Sequence, residues 1–147
     1  MPPPRATALA LALCLGCSEF RPVETDLVGS SLHGCSDDRF VDRSADGDMR
    51  VVSFGGAMGS GSTAYDPPCL TVAAGQTVTF AGNFTFHPLT PGESRGLMLG
   101  SPNNPIPTVN SGETPREVTF TAAGTYPYYC LVHATLGMRG VVRVVSR

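Results

Sequence analysis

Short runs in which apolar and polar residues alternate recur through the later two-thirds of the chain. In residues 76–81 (QTVTFA) the apolar Val78 and Phe80 alternate with threonines, and residues 116–121 (REVTFT) repeat the pattern. A period of two is typical of a half-buried β-strand, because successive side chains point to opposite faces. The 147 residues include 17 Gly and 13 Pro, which favours many turns, and no stretch suits a long amphipathic helix. We therefore predict an all-β fold, a Greek-key β-sandwich of about seven to eight strands in one domain.

The charge of the chain is small and dispersed. Its formal net charge is −2, and all ten basic residues are Arg. These residues are scattered along the sequence, so the dense basic patch by which nucleic-acid-binding proteins contact phosphates is missing. We expect no nucleic-acid partner, and we expect the chain to be a monomer.

The beginning of the chain has the features of an export signal. Arg5 precedes an apolar run over residues 6–15, which is too short to span a bilayer but suits the core of a secretory signal. The letters LCLGC, ending at Cys17, resemble the lipobox of bacterial lipoproteins, in which that cysteine is lipidated and becomes the first residue. We expect a signal peptide over residues 1–16, a lipid anchor on Cys17, and an exported protein of the periplasm or cell envelope. An ordinary signal that releases a soluble periplasmic protein is the alternative.

A polar segment separates this signal from the predicted domain. Residues 17–34 are mixed in charge and aperiodic, which predicts a flexible tether. His33, near its end, is expected to be an ordinary surface residue. Strand-like runs begin after Cys35, so we place the folded domain at residues 35–147.

Cysteine usage agrees with export. Cys14 would be removed with the signal and Cys17 would carry the lipid, which leaves three cysteines. By elimination, Cys35 and Cys69 are expected to form a disulfide in an oxidising compartment. Cys130 would then remain an unpaired thiol, for which metal ligation is a good reason. A buried thiol, or pairing with one of the other two cysteines, is the alternative for Cys130.

One short segment concentrates metal-binding side chains. Cys130, His133 and Met138 follow one another with two and four residues between them, in a loop between two predicted strands, and His87 lies upstream just after a strand. A soft thiolate, two imidazoles and a weak thioether suit copper in both of its oxidation states. Each residue alone could be ordinary packing, whereas together they predict one copper site. Zinc is less favoured, because structural zinc sites seldom use methionine.

Two longer stretches make this pattern recognisable. Residues 124–144 (GTYPYYCLVHATLGMRGVVRV) closely resemble the ligand loop and last strand of the plastocyanin-like blue-copper proteins, the cupredoxins. Residues 69–89 (CLTVAAGQTVTFAGNFTFHPL) resemble the strand pair that ends in the first histidine ligand of that family. The resemblance implies a cupredoxin fold with one type 1 copper that alternates between Cu(I) and Cu(II) and carries single electrons. The ligands that it implies are His87, Cys130, His133 and Met138.

The resemblance also implies how electrons would enter and leave. The ring edge of His133 would reach the surface, and Tyr129 matches a tyrosine that offers the family a second route through the cysteine; simple packing at a strand end is the alternative. The candidates for an apolar docking collar around the ring edge are Leu89, Leu131, Leu136 and Gly137. The partners would be redox proteins such as cytochromes or a copper oxidase or reductase.

Two positions depart from the family pattern. The family usually has Asn after its first histidine, with a backbone N–H that bonds to the cysteine sulfur, whereas Pro88 has no N–H. Where the family often has Pro, two residues after the cysteine, this chain has Val132, which does have an N–H. We expect the Val132 N–H to replace the missing donor to the sulfur of Cys130.

Two other functions compete with one-electron transfer. Copper storage or delivery usually involves exposed Met or His clusters, whereas Met49, Met58 and Met98 are dispersed. A copper enzyme of the nitrite reductase or multicopper oxidase type needs further copper sites, generally His-x-His pairs, and this chain has three His and no such pair. We expect a carrier and not an enzyme, with copper storage or delivery as the alternative.

Overall fold

A computed structural model of the chain describes residues 31–55, 62–94 and 103–147. The predicted signal peptide, the predicted lipidation site Cys17 and most of the predicted tether lie outside these residues. Within the described part of the chain, no helix has the length and apolar character that crossing a membrane requires.

Two β-sheets form the predicted all-β sandwich. The strands of the described residues are β1 (Val41–Asp42), β2 (Val51–Phe54), β3 (Tyr65–Asp66), β4 (Cys69–Ala73), β5 (Gln76–Gly82), β6 (Leu89–Pro91), β7 (Arg116–Phe120), β8 (Gly124–Cys130) and β9 (Arg139–Val145). One sheet has the strand order β1-β4-β9-β8-β6, and the other has the order β3-β2-β5-β7. Two short 3-10 helices, Asp37–Arg39 and Ala134–Leu136, complete the elements of this part of the chain.

The chain passes from one sheet to the other several times, as a Greek-key sandwich requires. β4 and β5 follow each other in sequence but lie in different sheets, and so do β7 and β8. β8 and β9 form an antiparallel pair that runs from Gly124↔Val144 to Tyr129↔Arg139, while β4 lies parallel to β9 on its other side. The loop between β8 and β9 is therefore fixed at both ends to central strands of the five-stranded sheet.

The alternating runs place their apolar side chains between the sheets. Val78 and Phe80 of β5 are fully buried while Thr77 is exposed, as the period of two predicts. Tyr128 of β8 is also fully buried, and its ring makes edge contacts with the rings of Tyr65, at 4.8 Å, and Phe80, at 5.1 Å between centroids. Large buried rings supply much of the apolar stabilisation of a core. This packing ties β8, the strand that leads into the loop, to the facing sheet.

A smaller apolar cluster covers the outer face of the five-stranded sheet. The predicted disulfide between Cys35 and Cys69 is present, with a Cα–Cα distance of 5.6 Å, and Val141 packs against it. The bridge joins residues 31–40 to β4, and all five residues of β4 are buried. His33, expected at the surface, is instead half-buried, and its Nδ1 lies 3.1 Å from a carbonyl oxygen of β9.

The double variant Cys35→Ala/Cys69→Ala tests what the disulfide contributes. The bridge joins residues 34 positions apart in the sequence. Closing a loop of that length restricts the unfolded chain by about 3–4 kcal/mol. We expect the free energy of unfolding of the copper-free protein, measured by urea denaturation, to fall by about that amount. An unchanged urea midpoint would contradict this expectation.

Candidate metal centre

The first part of the site is a tight turn between β5 and β6. The side-chain oxygen of Asn83 accepts hydrogen bonds from the N–H groups of Thr85, at 3.0 Å, and Phe86, at 3.3 Å. The carbonyl oxygen of Asn83 accepts another from the N–H of His87, at 2.9 Å. Asparagine suits such a turn because its side chain replaces a backbone partner. The turn thereby fixes the backbone of His87 just before β6 begins.

The second part is the loop between β8 and β9. The N–H of Cys130 donates to the carbonyl oxygen of Met138 at 3.0 Å, which closes the ends of the loop. Inside it, the carbonyl oxygen of His133 accepts from the N–H groups of Leu136, at 3.0 Å, and Met138, at 3.2 Å. Gly137 completes the turn with a φ of 93°, a left-handed conformation that glycine adopts without strain. The loop is thus hydrogen-bonded to itself and holds Cys130 and His133 in fixed backbone positions.

Backbone contacts join the turn to the loop. Leu89 of β6 pairs with Cys130 of β8. The N–H of Leu131 donates to the carbonyl oxygen of Pro88 at 3.0 Å, which extends this contact beyond the end of β8. The two imidazoles meet for this reason, although they are 46 positions apart in the sequence.

Three potential metal-binding atoms converge where the turn meets the loop. The Nδ1 atoms of His87 and His133 are 3.1 Å apart, and the Sγ of Cys130 lies 3.4 Å from the Nδ1 of His133. The potential ligand atoms of the three residues all lie within 4.8 Å of one another. Cys130 and His87 are buried, whereas His133 is half-buried. The cluster is compact enough for its three atoms to contact one ion.

The electrostatics of the cluster favour metal binding. Burial lowers the pKa of His87, and the neighbouring His133 lowers it further. A lowered pKa keeps the imidazole of His87 neutral near pH 7, and a metal requires an unprotonated ring nitrogen. Cys130 is a free, buried thiol, which becomes a soft anionic ligand when a metal displaces its proton. Two ring nitrogens and one thiolate are a donor set that fits copper.

Met138 lies at the end of the same loop. Its side chain is fully buried in the main core, and its backbone is hydrogen-bonded to both Cys130 and His133. The same hydrogen bonds that close the loop therefore hold the backbone of Met138 next to the backbones of Cys130 and His133.

The surface near His133 is apolar, but one of the residues predicted to form the apolar collar is not at the surface. Leu131 and Leu136 are 62% and 67% exposed, in agreement with the prediction. Leu89 is instead fully buried in the core, because β6 directs its side chain between the sheets. Phe86, 62% exposed, lines a surface cleft with both histidines and is the large apolar residue that the sequence patterns do not reveal.

The surroundings of the sulfur also differ from expectation. Among the described residues, no hydrogen bond runs from the Val132 N–H to the Sγ of Cys130. The Sγ is within hydrogen-bonding distance of the His133 ring, and Pro88 contributes only its carbonyl oxygen, to Leu131. The structure therefore gives no support to the predicted change of donor.

A two-sheet Greek-key sandwich with two imidazoles and a thiol gathered beside the loop between its last strands has the form of a cupredoxin. The family described as copper-binding proteins, plastocyanin/azurin family, matches residues 52–145. This chain belongs to the plastocyanin/azurin family of copper-binding proteins, and copper is its cofactor. Membership supports copper-based electron transfer as the general function, and it favours a carrier over an enzyme.

Two plastocyanins illustrate the similarity. Plastocyanin A/B of Petroselinum crispum is 39% identical over 88 residues, which cover 57% of this chain and 90% of the relative. The chloroplastic plastocyanin of Physcomitrium patens is 32% identical over 120 residues, which cover 80% of this chain and 69% of the relative. Among solved structures, a mutant plastocyanin of fern has a TM-score of 0.45 and 21% sequence identity, with 65% of this chain and 99% of the fern chain covered.

Proposed function

We propose that this protein is a one-electron carrier outside the cytoplasm, with copper held by His87, Cys130, His133 and, more weakly, Met138. The supporting observation is the convergence of three ligand atoms, within 4.8 Å of one another, on two chain segments that backbone pairing holds together. A site of this composition suits a copper ion that gains and loses one electron.

The residues around the cluster would keep its geometry similar in both oxidation states. Burial of Cys130 keeps water away from the sulfur. The Nε of Arg139 donates to the carbonyl oxygen of Ala134 at 2.8 Å, which joins β9 to the loop in addition to the hydrogen bonds inside the loop. Because ligands that move little on reduction leave little reorganisation to oppose electron transfer, a loop held by these hydrogen bonds suits a carrier.

Electrons would pass through the exposed part of the His133 ring. The loop and the turn that carry the two histidines expose four large apolar side chains, those of Phe86, Leu131, Val132 and Leu136. An apolar patch of this kind lets a partner approach the ring closely, and electron-transfer encounters are typically small and weak. The partners that we propose are cytochromes or a copper oxidase or reductase, each contacted by a monomer of this chain. Tyr129, half-buried beside Cys130, would offer a second and longer route.

Storage, delivery and catalysis are less favoured by the same geometry. Copper release would require the loop to open, and the hydrogen bond from Cys130 to Met138 opposes that opening. A copper enzyme of the kinds considered above would need a further copper site. The described residues contain one cluster of three or more potential His, Cys or carboxylate ligands, and the carrier role already uses it.

The proposed location is outside the cytoplasm, attached to a membrane of the cell envelope. The disulfide between Cys35 and Cys69 supports this, because such bonds persist in oxidising compartments. The apolar run before Cys17 would direct export, and a lipid on Cys17 would tether the folded domain through the segment that follows.

The visible spectrum of the copper-loaded protein tests the ligand set. We expect an intense thiolate-to-copper charge-transfer band in the oxidised form, because Cys130 supplies the thiolate. The band should disappear on one-electron reduction and should be absent from a Cys130→Ser variant. The Cys35→Ala/Cys69→Ala variant is the control, since it also removes sulfur but on the outer face of the sheet, and it should keep the band. Persistence of the band in Cys130→Ser would contradict the proposal.

Fractionation of a bacterial host tests the anchor. We expect the full chain in the membrane fraction, and a Cys17→Ser variant to lose this membrane attachment, because the lipid supplies the membrane affinity. A Cys14→Ser variant is the matched control and should remain with the membrane. If the unaltered chain is recovered as soluble protein, the anchor is wrong, while the electron-carrier proposal is unaffected.

A further inference from the structure

We propose that Gly55 is a positioning residue for the metal centre. Because Gly55 has no side chain, the imidazole of His87 can occupy the space beside it and keep its orientation towards His133 and Cys130. This inference rests on the copper site proposed above, and it adds β2 to the elements that shape that site. Gly55 follows β2 directly and is buried.

The imidazole of His87 lies where a side chain at position 55 would begin. A Cβ atom added at Gly55 would lie 2.6 Å from the Cδ2 and 2.9 Å from the Nε2 of His87. Both distances are below what side-chain packing tolerates, since carbon atoms pack at about 3.5–4.0 Å. Any residue other than glycine would therefore displace the ring or the backbone that follows β2.

The approach is on the side of the ring that faces away from the other ligands. In an imidazole the Cδ2–Nε2 bond lies opposite Nδ1, and the Nδ1 of His87 is the atom 3.1 Å from the Nδ1 of His133. The backbone at Gly55 thus lies on the side of the ring opposite Nδ1. A methyl group added at Gly55 would displace the ring and so change the distance from its Nδ1 to the Nδ1 of His133.

The backbone that carries the ring is held in place by neighbouring contacts. The N–H of His87 is bonded to the carbonyl oxygen of Asn83 at 2.9 Å, and the ring lies edge-on to Phe54 with centroids 6.3 Å apart. The next residue, Pro88, is held by its hydrogen bond from Leu131. Because the turn is fixed on both sides of His87, added bulk at Gly55 would be absorbed by ring rotation, which changes the metal geometry.

Gly55 also has a φ of +62°, which disfavours other residues for a separate reason. Gly75 provides a matched control, because its φ is +87° and an added Cβ would meet no heavy atom within 4 Å. Alanine at either position would have to adopt a positive φ, which strains the backbone. Only the alanine at position 55 would also contact His87.

The first experiment compares Gly55→Ala with Gly75→Ala in the copper-loaded protein. We expect Gly55→Ala to lower copper affinity about 10–100-fold, as is typical when groups that orient a ligand are lost, and to change the charge-transfer spectrum and the copper hyperfine coupling in electron paramagnetic resonance. Gly75→Ala should leave affinity and spectra unchanged. Equal affinities and identical spectra in the two variants would overturn the proposal.

The second experiment uses copper-free protein and a double-mutant cycle with His87→Ala. If the contact with the ring is the cause, Gly55→Ala should destabilise the protein more in the presence of His87 than in the His87→Ala background, where its effect should fall to that of Gly75→Ala. If Gly55→Ala fails to fold alone, recovery of folding in the His87→Ala background supports the proposal. An equal effect, or an equal failure to fold, in both backgrounds overturns it. Because this cycle needs no metal, its outcome is separate from a failure of the copper-carrier proposal itself.

Discussion

The pairing of β6 with β8 is the contact on which the metal centre depends. It places Leu89 opposite Cys130, and the hydrogen bond from Leu131 to Pro88 continues the contact into the loop. One histidine comes from the turn before β6 and the other from the loop after β8, so neither segment contains a complete site. Because ligand atoms must be held within a fraction of an ångström of their working positions, the register of this strand pair decides whether the site exists.

The packing behind the loop connects the stability of the sandwich with the order of the site. The Oη of Tyr128 lies 3.4 Å from the carbonyl oxygen of Pro68, which also accepts the N–H of Val141 at 2.8 Å. Pro68 precedes Cys69 of the disulfide, and Tyr128 precedes Cys130 by two residues. One carbonyl group therefore links the disulfide-bound outer segment, β9 and the central ring of the core. The loop is ordered by the whole sandwich and not by its own hydrogen bonds alone.

Local patterns decide what could be predicted from the sequence. Period-two alternation is enough for β5 and β7. The disulfide follows by elimination among the cysteines, and the three-residue cluster follows from the spacing of Cys130 and His133 together with the resemblance to the cupredoxins. β6 is different, because Leu89–Pro91 has no alternation and becomes a strand only through its partner β8. The buried side chain of Leu89 and the close approach of Gly55 to a ring depend on the same tertiary contacts, and no single segment reveals them. Membrane attachment rests on the sequence before residue 31 alone.

The ligand set is tested most directly by a crystal structure of the copper-loaded protein with anomalous diffraction measured at the copper absorption edge. We expect one strong anomalous peak, bonded to the Nδ1 atoms of His87 and His133 and to the Sγ of Cys130, with the sulfur of Met138 as a longer fourth contact. A peak bonded to other side chains, or a Cys130 sulfur that lies away from the bound copper, would contradict this ligand set.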